Sequence, residues 1–316
     1  MKKILFTLLI VSLSSFLHAD EKVNLSLEVA ENANINIQDP HSQIEILSWE
    51  KNSMQISGEI SDEASDFSFE KSGNGAIFEV EYANQKNWKE ILDAGSRSRL
   101  RIYVPINSFV EVSNITGAIK VSGVKGGTSV ESISASVLIE QLADRIGVET
   151  INGNIESNNN HGRLDIETVN GNFTDQSSSG ELKVSTVQGN INSTSKFAMV
   201  EVEVVNGNLD LQLDKVDELA IDSVNGRVSA SMSLNKKGDV TISNVNGKIN
   251  LVFNKDVSAE FEIQTYVGGT IVNKLTEDKA KKEEFGPGRS LSFTTADGSA
   301  QVEVSTVGGK VSLAGH

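Results

Sequence analysis

Cysteine is absent from all 316 residues. That removes disulfides, thiol nucleophiles, thiolate metal sites and the acylated cysteine of a bacterial lipoprotein. Histidine is scarce, with four in the chain. Beyond a leader only His41, His161 and His316 remain, and they show no metal-ligand spacing. His161 follows Asn158-Asn159-Asn160 and reads as a surface turn residue. A serine–histidine relay or a histidine-bound metal therefore has too little to draw on. Prolines number 3 and aromatics make up 5%. The core must come from Val, Ile and Leu, and the absence of Pro-rich or low-complexity tracts argues against disorder. Positive charge is also short: 28 Lys and Arg against 43 Asp and Glu give a net −15. A nucleic-acid partner is excluded on that ground, since phosphate binding needs clustered basic residues. No phosphate-cradling Gly-rich loop, Ser-nucleophile elbow, zinc-protease helix or calcium-loop motif occurs.

Long apolar runs are missing as well. The longest, residues 4–16, is shorter than the ~20 needed to cross a bilayer. It follows Met1-Lys2-Lys3 and precedes Leu17-His18-Ala19. Basic start, short apolar middle and small residue before a cut make residues 1–19 a secretory signal peptide. An exported protein, periplasmic or secreted, is expected, with no transmembrane segment in the mature chain. No C-terminal β-barrel translocator or sorting motif is recognisable, so surface anchoring by those routes is not expected.

A short phrase is present in ten copies: a glycine with an apolar residue two before and two after it. The slots are Gly117, Ala135, Gly153, Gly171, Gly189, Gly207, Gly226, Gly247, Gly269 and Gly309. Their steps are 18 five times in a row, then 19, 21, 22 and 40. Upstream, two columns are apolar in most copies: Ile146, Leu164, Leu182, Val200, and Val148, Ile166, Val184, Val202. Polar residues alternate with them, the period-two mark of a strand with one buried face. A hairpin meander could use Asn-Gly turns too, but nothing in it enforces constant spacing. A constant step follows if each repeat is one coil of a parallel β-solenoid in which like residues stack. The corner column reads Asn152, Asn170, Gln188, Asn206, Asn225 and Asn246. Stacked amides can bond from coil to coil, and glycine accepts the positive φ expected of a tight corner. A Thr-rich column just upstream, with Thr150, Thr168 and Thr186, is expected to hydrogen-bond along the stack. These Asn and Gly residues are read as structural.

One outward column carries charge: Glu131, Glu149, Glu167, Ser185, Glu203, Asp222. On stacked coils these lie ~4.8 Å apart. Like charges at that spacing repel, so the column should face open solvent or hold a cation. Glu131, Glu149, Glu167 and Glu203 are thus candidate Ca²⁺ ligands or a landing strip for a cationic partner. Lys183 beside Asp165 partly neutralises the same face.

Residues 20–109 alternate as strands at irregular spacing, with Gly73-Asn74-Gly75 a hairpin tip. They are read as a β cap over the first coil, since a bare parallel edge invites self-association. Residues 86–98, with Trp88, read as a surface loop or short turn of helix. Residues 110–316 carry the repeats. Within them 274–288 is a charged excursion, where 275–285 (LTEDKAKKEEF) allows one or two helical turns before Gly286-Pro287-Gly288.

Three phrases together carry a family resemblance: Ser42-Gln43-Ile44-Glu45-Ile46 with Trp49, Arg101-Ile102-Tyr103-Val104-Pro105, and the Val-Asn-Gly-Asn-Ile coils. On them the chain resembles the bacterial putative adhesin family of unknown function, related to the β-helical heads of autotransporter adhesins. The resemblance implies an all-β, right-handed parallel β-helix of about 18–22 residues per coil and an exported location. It supplies no catalytic residues. The expected function is non-catalytic: an elongated surface for a protein or glycan of the cell envelope, with no cofactor and a monomeric state. Two alternatives stand beside it. A polysaccharide-processing β-helix enzyme would need deeper loops and more Arg than Arg163 and Arg227 supply between residues 153 and 253. A self-assembling envelope scaffold conflicts with a capped end.

Overall fold

The computed structural model describes residues 21–82 and 97–315. The expected signal peptide, most of the expected 86–98 loop and position 316 lie outside the described residues. Among the described residues every regular element is a strand, twenty in all, from Glu21–Glu28 to Ala300–Gly315. The protein is all-β. The helical turns considered for 275–285 are not formed: Lys281–Lys282 is a two-residue strand and its flanks are irregular. That stretch has no apolar stripe with which a helix could dock. Instead Asn273 Oδ1 accepts the Leu275 and Thr276 backbone N–H groups at 2.9 and 3.3 Å and closes a local turn.

Parallel pairing at a fixed offset builds the middle of the molecule. Ala143–Asn152 lies beside His161–Asn170, with Ile146 opposite Leu164, Val148 opposite Ile166 and Glu149 opposite Glu167. His161–Asn170 pairs with Phe173–Gln188, that strand with Ile191–Asn206, and that with Leu209–Phe253. Across the glycine corner a second ladder joins Ile155 to Phe173 and Phe173 to Ile191. Each layer therefore adds one rung to two ladders that share a core. The inward columns Ile146–Leu164–Leu182, Val148–Ile166–Val184 and Ile155–Phe173–Ile191 are no more than 2% exposed. Each such side chain contributes about 1.5–3 kcal/mol of burial. Two residues beyond Phe173 the column turns polar. Buried Asp175 accepts hydrogen bonds from Ser157 Oγ at 2.6 Å and Ser193 Oγ at 3.4 Å, and burial raises its pKa.

The corner glycines owe their place to close approach. A Cβ on Gly171 would stand 1.9 Å from the Gly153 carbonyl oxygen, and one on Gly189 1.7 Å from that of Gly171. Neither lies at positive φ, whereas Gly117, Gly153, Gly226 and Gly247 in the same column do, so the left-handed corner expected from the sequence forms in some layers only, while glycine stacks on glycine in both kinds. The Thr column also departs from expectation. Thr150, Thr168 and Thr186 are buried, yet their hydroxyls have no hydrogen-bond partner among the described residues. Thr168 turns under its own corner: a Cβ on Gly171 would meet Thr168 Oγ1 at 3.0 Å.

At both ends the order of layers differs from the order of the chain. Val302 lies opposite both Val240 and Phe261, so Ala300–Gly315 is inserted between Leu209–Phe253 and Ala259–Thr265. Gly309 accordingly stacks on Gly247, and the copy at Gly269 lies beyond it. This corrects a sequential reading of the last two copies and explains their 40-residue step. Arg289–Thr294 then runs antiparallel along Ala259–Thr265 and closes that side. The other end is built alike. Ile44 pairs with Ile119 on one side and Leu100 on the other, so His41–Trp49 lies between Phe109–Ser122 and Ser98–Pro105. Antiparallel Ser53–Ile60 and Asp66–Ser72 cover the outer strands, the latter through the turn at Gly73-Asn74. The described strands within residues 20–109 thus supply two parallel layers as well as covering strands. Outward edges left bare would template further pairing.

Gly171→Val should destabilise by about 1–3 kcal/mol, since the added atoms meet backbone that cannot give. A denaturation midpoint equal to wild type would remove the glycine-contact account. In this cysteine-free background the inserted terminal layer can be cross-linked. Thr241→Cys with Glu303→Cys should form a disulfide on mild oxidation, because those residues are register partners. Thr241→Cys with Glu262→Cys should not, because Glu303 lies between them. The reverse pattern would show layers stacked in chain order.

Candidate functional site

Glu149, Thr150 and Ile151 define the site in one layer. Inward phase runs Ile146, Val148, Thr150, so Glu149 and Ile151 both project outward, one on each side of Thr150. Residues two apart on a strand stand ~6.6 Å apart. Register then repeats the trio layer after layer. Glu131, Glu149, Glu167, Ser185, Glu203 and Asp222 form one continuous file of partners. The opposite wall is Ile115, Ile133, Ile151, Val169, Val187, Val205, Val224, Val245 and Val307. Between the walls lies a groove of about 1000 Å³ with Thr150, Thr168, Thr186 and Ser223 along its floor. It crosses nine layers.

Both walls are unusual for a surface. From Ile133 onward the aliphatic file is 38–47% exposed. Exposed apolar residues are ordinary one at a time, but a contiguous file marks an interaction surface. The acidic file makes no ion pair: Glu131, Glu149, Glu167, Glu203 and Asp222 have none among the described residues, and Lys183 acts on Glu203 only as a nearby charge. Lys183, one column away, bonds to Glu201 at 3.0 Å rather than to a groove carboxylate. Glu149 is raised above the ordinary carboxylate pKa, first by burial and then by the charges of Glu167, Glu131 and Asp165. The four glutamates proposed as Ca²⁺ ligands stand in file and do not converge. Among the described residues no group of three or more His, Asp or Glu side chains is placed to hold a metal ion.

The corner residues lie on the far side of the aliphatic wall. Asn170 Nδ2 donates to Asn152 Oδ1 at 3.1 Å, and Asn225 Nδ2 to Asn206 Oδ1 at 3.0 Å. A second amide file, two residues on, was not singled out from the sequence. Asn154, Asn172, Asn190 and Asn208 each bond to the next, the Oδ1 accepting both Nδ2 and backbone N–H. Its signal was present in the second Asn of each Asn-Gly-Asn. Gly117, Gly153, Gly226, Gly247 and Gly269 occupy the corner between these files, and Asn246 pairs with Gly308 in the inserted layer.

A second polar cluster lies where the covering strands meet the first layers. Asp39 is fully buried, and its Oδ1 accepts the His41 backbone N–H at 3.1 Å and the Tyr82 hydroxyl at 3.3 Å. The carboxylate bonds to the backbone of His41 and not to its ring, so it does not orient the imidazole as a relay requires. Burial pushes the Asp39 carboxyl up to about 6. Burial and the charge of Arg97 lower the His41 pKa, and burial raises that of Tyr82. His161 is exposed, its Nδ1 hydrogen-bonded to Ser179 Oγ at 2.8 Å.

No family description matches this chain, and no curated protein matches it. Among solved structures it is similar to a "putative cell adhesion protein" from Clostridium sporogenes. The two are 10% identical over 94% of this chain and 100% of the other, with a TM-score of 0.27. At that score the likeness carries no argument about fold or function.

Relieving the acidic file should stabilise the protein. Glu149→Gln is expected to add about 0.5 kcal/mol at neutral pH in low salt, since like charges on facing rungs cost ~0.2–1 kcal/mol. The gain should shrink in high salt, which screens exposed charges. A lower stability in low salt would mean that Glu149 is compensated. Asp39 sets a pH dependence. Folding raises its pKa from 3.8 to about 6, so the native state holds a proton there that the unfolded chain releases. Its contribution therefore grows as pH falls through 6, is complete below 3.8, and amounts to about 3 kcal/mol at most. His41, lowered on folding, acts in the opposite sense near pH 6. Asp39→Asn should remove the gain in denaturation midpoint between pH 7 and 4. An unaltered pH profile would assign that dependence elsewhere.

Proposed function

We propose that the chain is an exported, non-catalytic β-solenoid that uses its long groove as a binding surface, as an adhesin or an envelope-associated interaction protein. One observation carries this reading: two outward files of opposite character run side by side without being covered, the aliphatic one across nine layers and the acidic one, broken only at Ser185, across the six from Glu131 to Asp222. The leader-like residues 1–19 support export. The parallel 18-residue register supports a solenoid over residues 110–316, closed by the covering strands of residues 20–109. Parallel crossover connections are right-handed in nearly all proteins, which supports that hand here. Catalysis is assigned no residues. The buried Asp39 cluster lacks a relay, and the groove walls offer carboxylates in file with no facing acid–base partner.

The mature protein, fluorescently labelled, should bind envelope fragments of the bacterium that encodes it. The double variant Val169→Asp, Val205→Asp changes exposed positions only and should keep its melting curve while losing at least tenfold in binding. Full binding by that variant, or no binding by wild type, would overturn the groove reading. Release of reducing ends from a panel of acidic and neutral glycans would overturn the non-catalytic one.

A further inference from the structure

We infer that the ligand of the groove is an extended polypeptide segment in polyproline II conformation, with Lys or Arg along one edge and aliphatic side chains along another. The inference rests on the reading of the groove as a binding surface, and four observations narrow the occupant. The walls are residues two apart on one strand, ~6.6 Å between Cα atoms. An α-helix with its side chains is about 10–12 Å across, wider than that spacing, and would rest on the rims rather than follow the floor. The acidic wall is unpaired, so the occupant is cationic on that edge; an acidic glycan or a nucleic acid is repelled. A second copy of this chain, at a net −15, is repelled as well. The facing wall is aliphatic, and Tyr266 is the one ring among the groove residues, so there is no aromatic platform on which sugar rings would stack. Branched aliphatic side chains pack best against others of their kind.

Spacing selects the conformation. Rungs repeat every ~4.7–4.9 Å, so alternate rungs lie ~9.4–9.8 Å apart. A polyproline II chain has 3 residues per turn and rises ~3.1 Å per residue, which returns the same edge every ~9.3 Å. Cationic residues at every third position would therefore meet Glu131, Glu167 and Glu203, which are two rungs apart in register. The second edge of the same three-sided chain, with the same two-rung repeat, faces alternate members of the aliphatic file such as Val169 and Val205. A β-strand returns each edge every ~6.6 Å and falls out of step with the rungs. Nine rungs span ~38 Å, the length of about 12 residues in this conformation.

The test uses fluorescein-labelled peptides (Lys-Val-Pro)4, (Glu-Val-Pro)4 and (Lys-Ser-Pro)4 and the mature chain, read by fluorescence anisotropy. The first should bind, and the other two at least tenfold more weakly. The triple variant Glu131→Gln, Glu167→Gln, Glu203→Gln should lose at least tenfold for the first peptide, as should wild type on raising salt to about 0.5 M. Val169→Asp with Val205→Asp should lose it too. Melting curves separate loss of binding from loss of fold. Equal binding of the acidic peptide, indifference to the Gln substitutions, or no binding of the basic peptide would overturn the proposal. Envelope binding that still depends on Val169 and Val205 while the basic peptide fails would overturn the ligand class alone. Envelope binding indifferent to those valines would overturn the binding-surface reading beneath it.

Discussion

Every feature of this protein depends on parallel strands stacking with equivalent residues in contact. Once Ile146 lies on Leu164 and Glu149 on Glu167, each column is chemically uniform or pays for being so. Uniform aliphatic columns inside are favourable, because identical side chains fill identical space. Amide columns are favourable outside, because Asn is donor and acceptor at once and can bond to its own kind without end. Glycine is required where layers touch: Gly153, Gly171 and Gly189 succeed one another with no room for a Cβ. Like charges are what stacking penalises, and in the acidic file carboxylates are stacked nonetheless.

The ends follow from the same constraint. A stack of parallel strands always leaves two open edges. Here each terminal stretch, His41–Trp49 and Ala300–Gly315, is paired on both sides by layers that lie nearer the middle of the chain. The outermost layer is then covered by antiparallel strands, Ser53–Ile60 followed by Glu21–Glu28 at one end and Arg289–Thr294 followed by Lys281–Lys282 at the other, which end the parallel register. Ala300–Gly315 joins strands from which it is separated by a long excursion. Such non-local pairing closes late and slowly, since loop entropy is spent before the contacts form.

Much of this is legible in the sequence. The inward columns and the acidic file come from period-two alternation combined with the 18-residue step, and register places them as read. The outward valines were legible as well: Thr150 is in phase with Ile146 and Val148, so Ile151 must be out of phase. A reading that treats every aliphatic residue of a strand as core passes over that parity. The bonds expected of Thr150, Thr168 and Thr186 do not form, and the left-handed corner forms at Gly117, Gly153, Gly226 and Gly247 but not at Gly171 or Gly189, because both depend on how closely layers approach at the glycine, a distance that no local pattern encodes. The swapped order of the Gly269 and Gly309 copies was hidden for a similar reason. Each copy carries the same column chemistry, so composition fits either order and only the connection lengths distinguish them.

The groove walls are the part that stacking does not explain. An outward strand position needs only a residue that suits a pleated surface, and Thr serves that need as well as Val. Outward neighbours such as Asp165, Lys183 and Glu201 show that this surface accepts polar side chains in the same layers. Yet the position after the Thr column is aliphatic in all nine layers that line the groove, and the position before it is acidic in five. The aliphatic file risks association through an exposed apolar stripe, and the acidic file costs stability through repulsion. Neither supports the core, and the acidic file lies against the aliphatic one through six consecutive layers. Features that burden folding and are repeated together in register belong to what the surface contacts, which is why the groove, rather than the buried Asp39 cluster, is assigned the function.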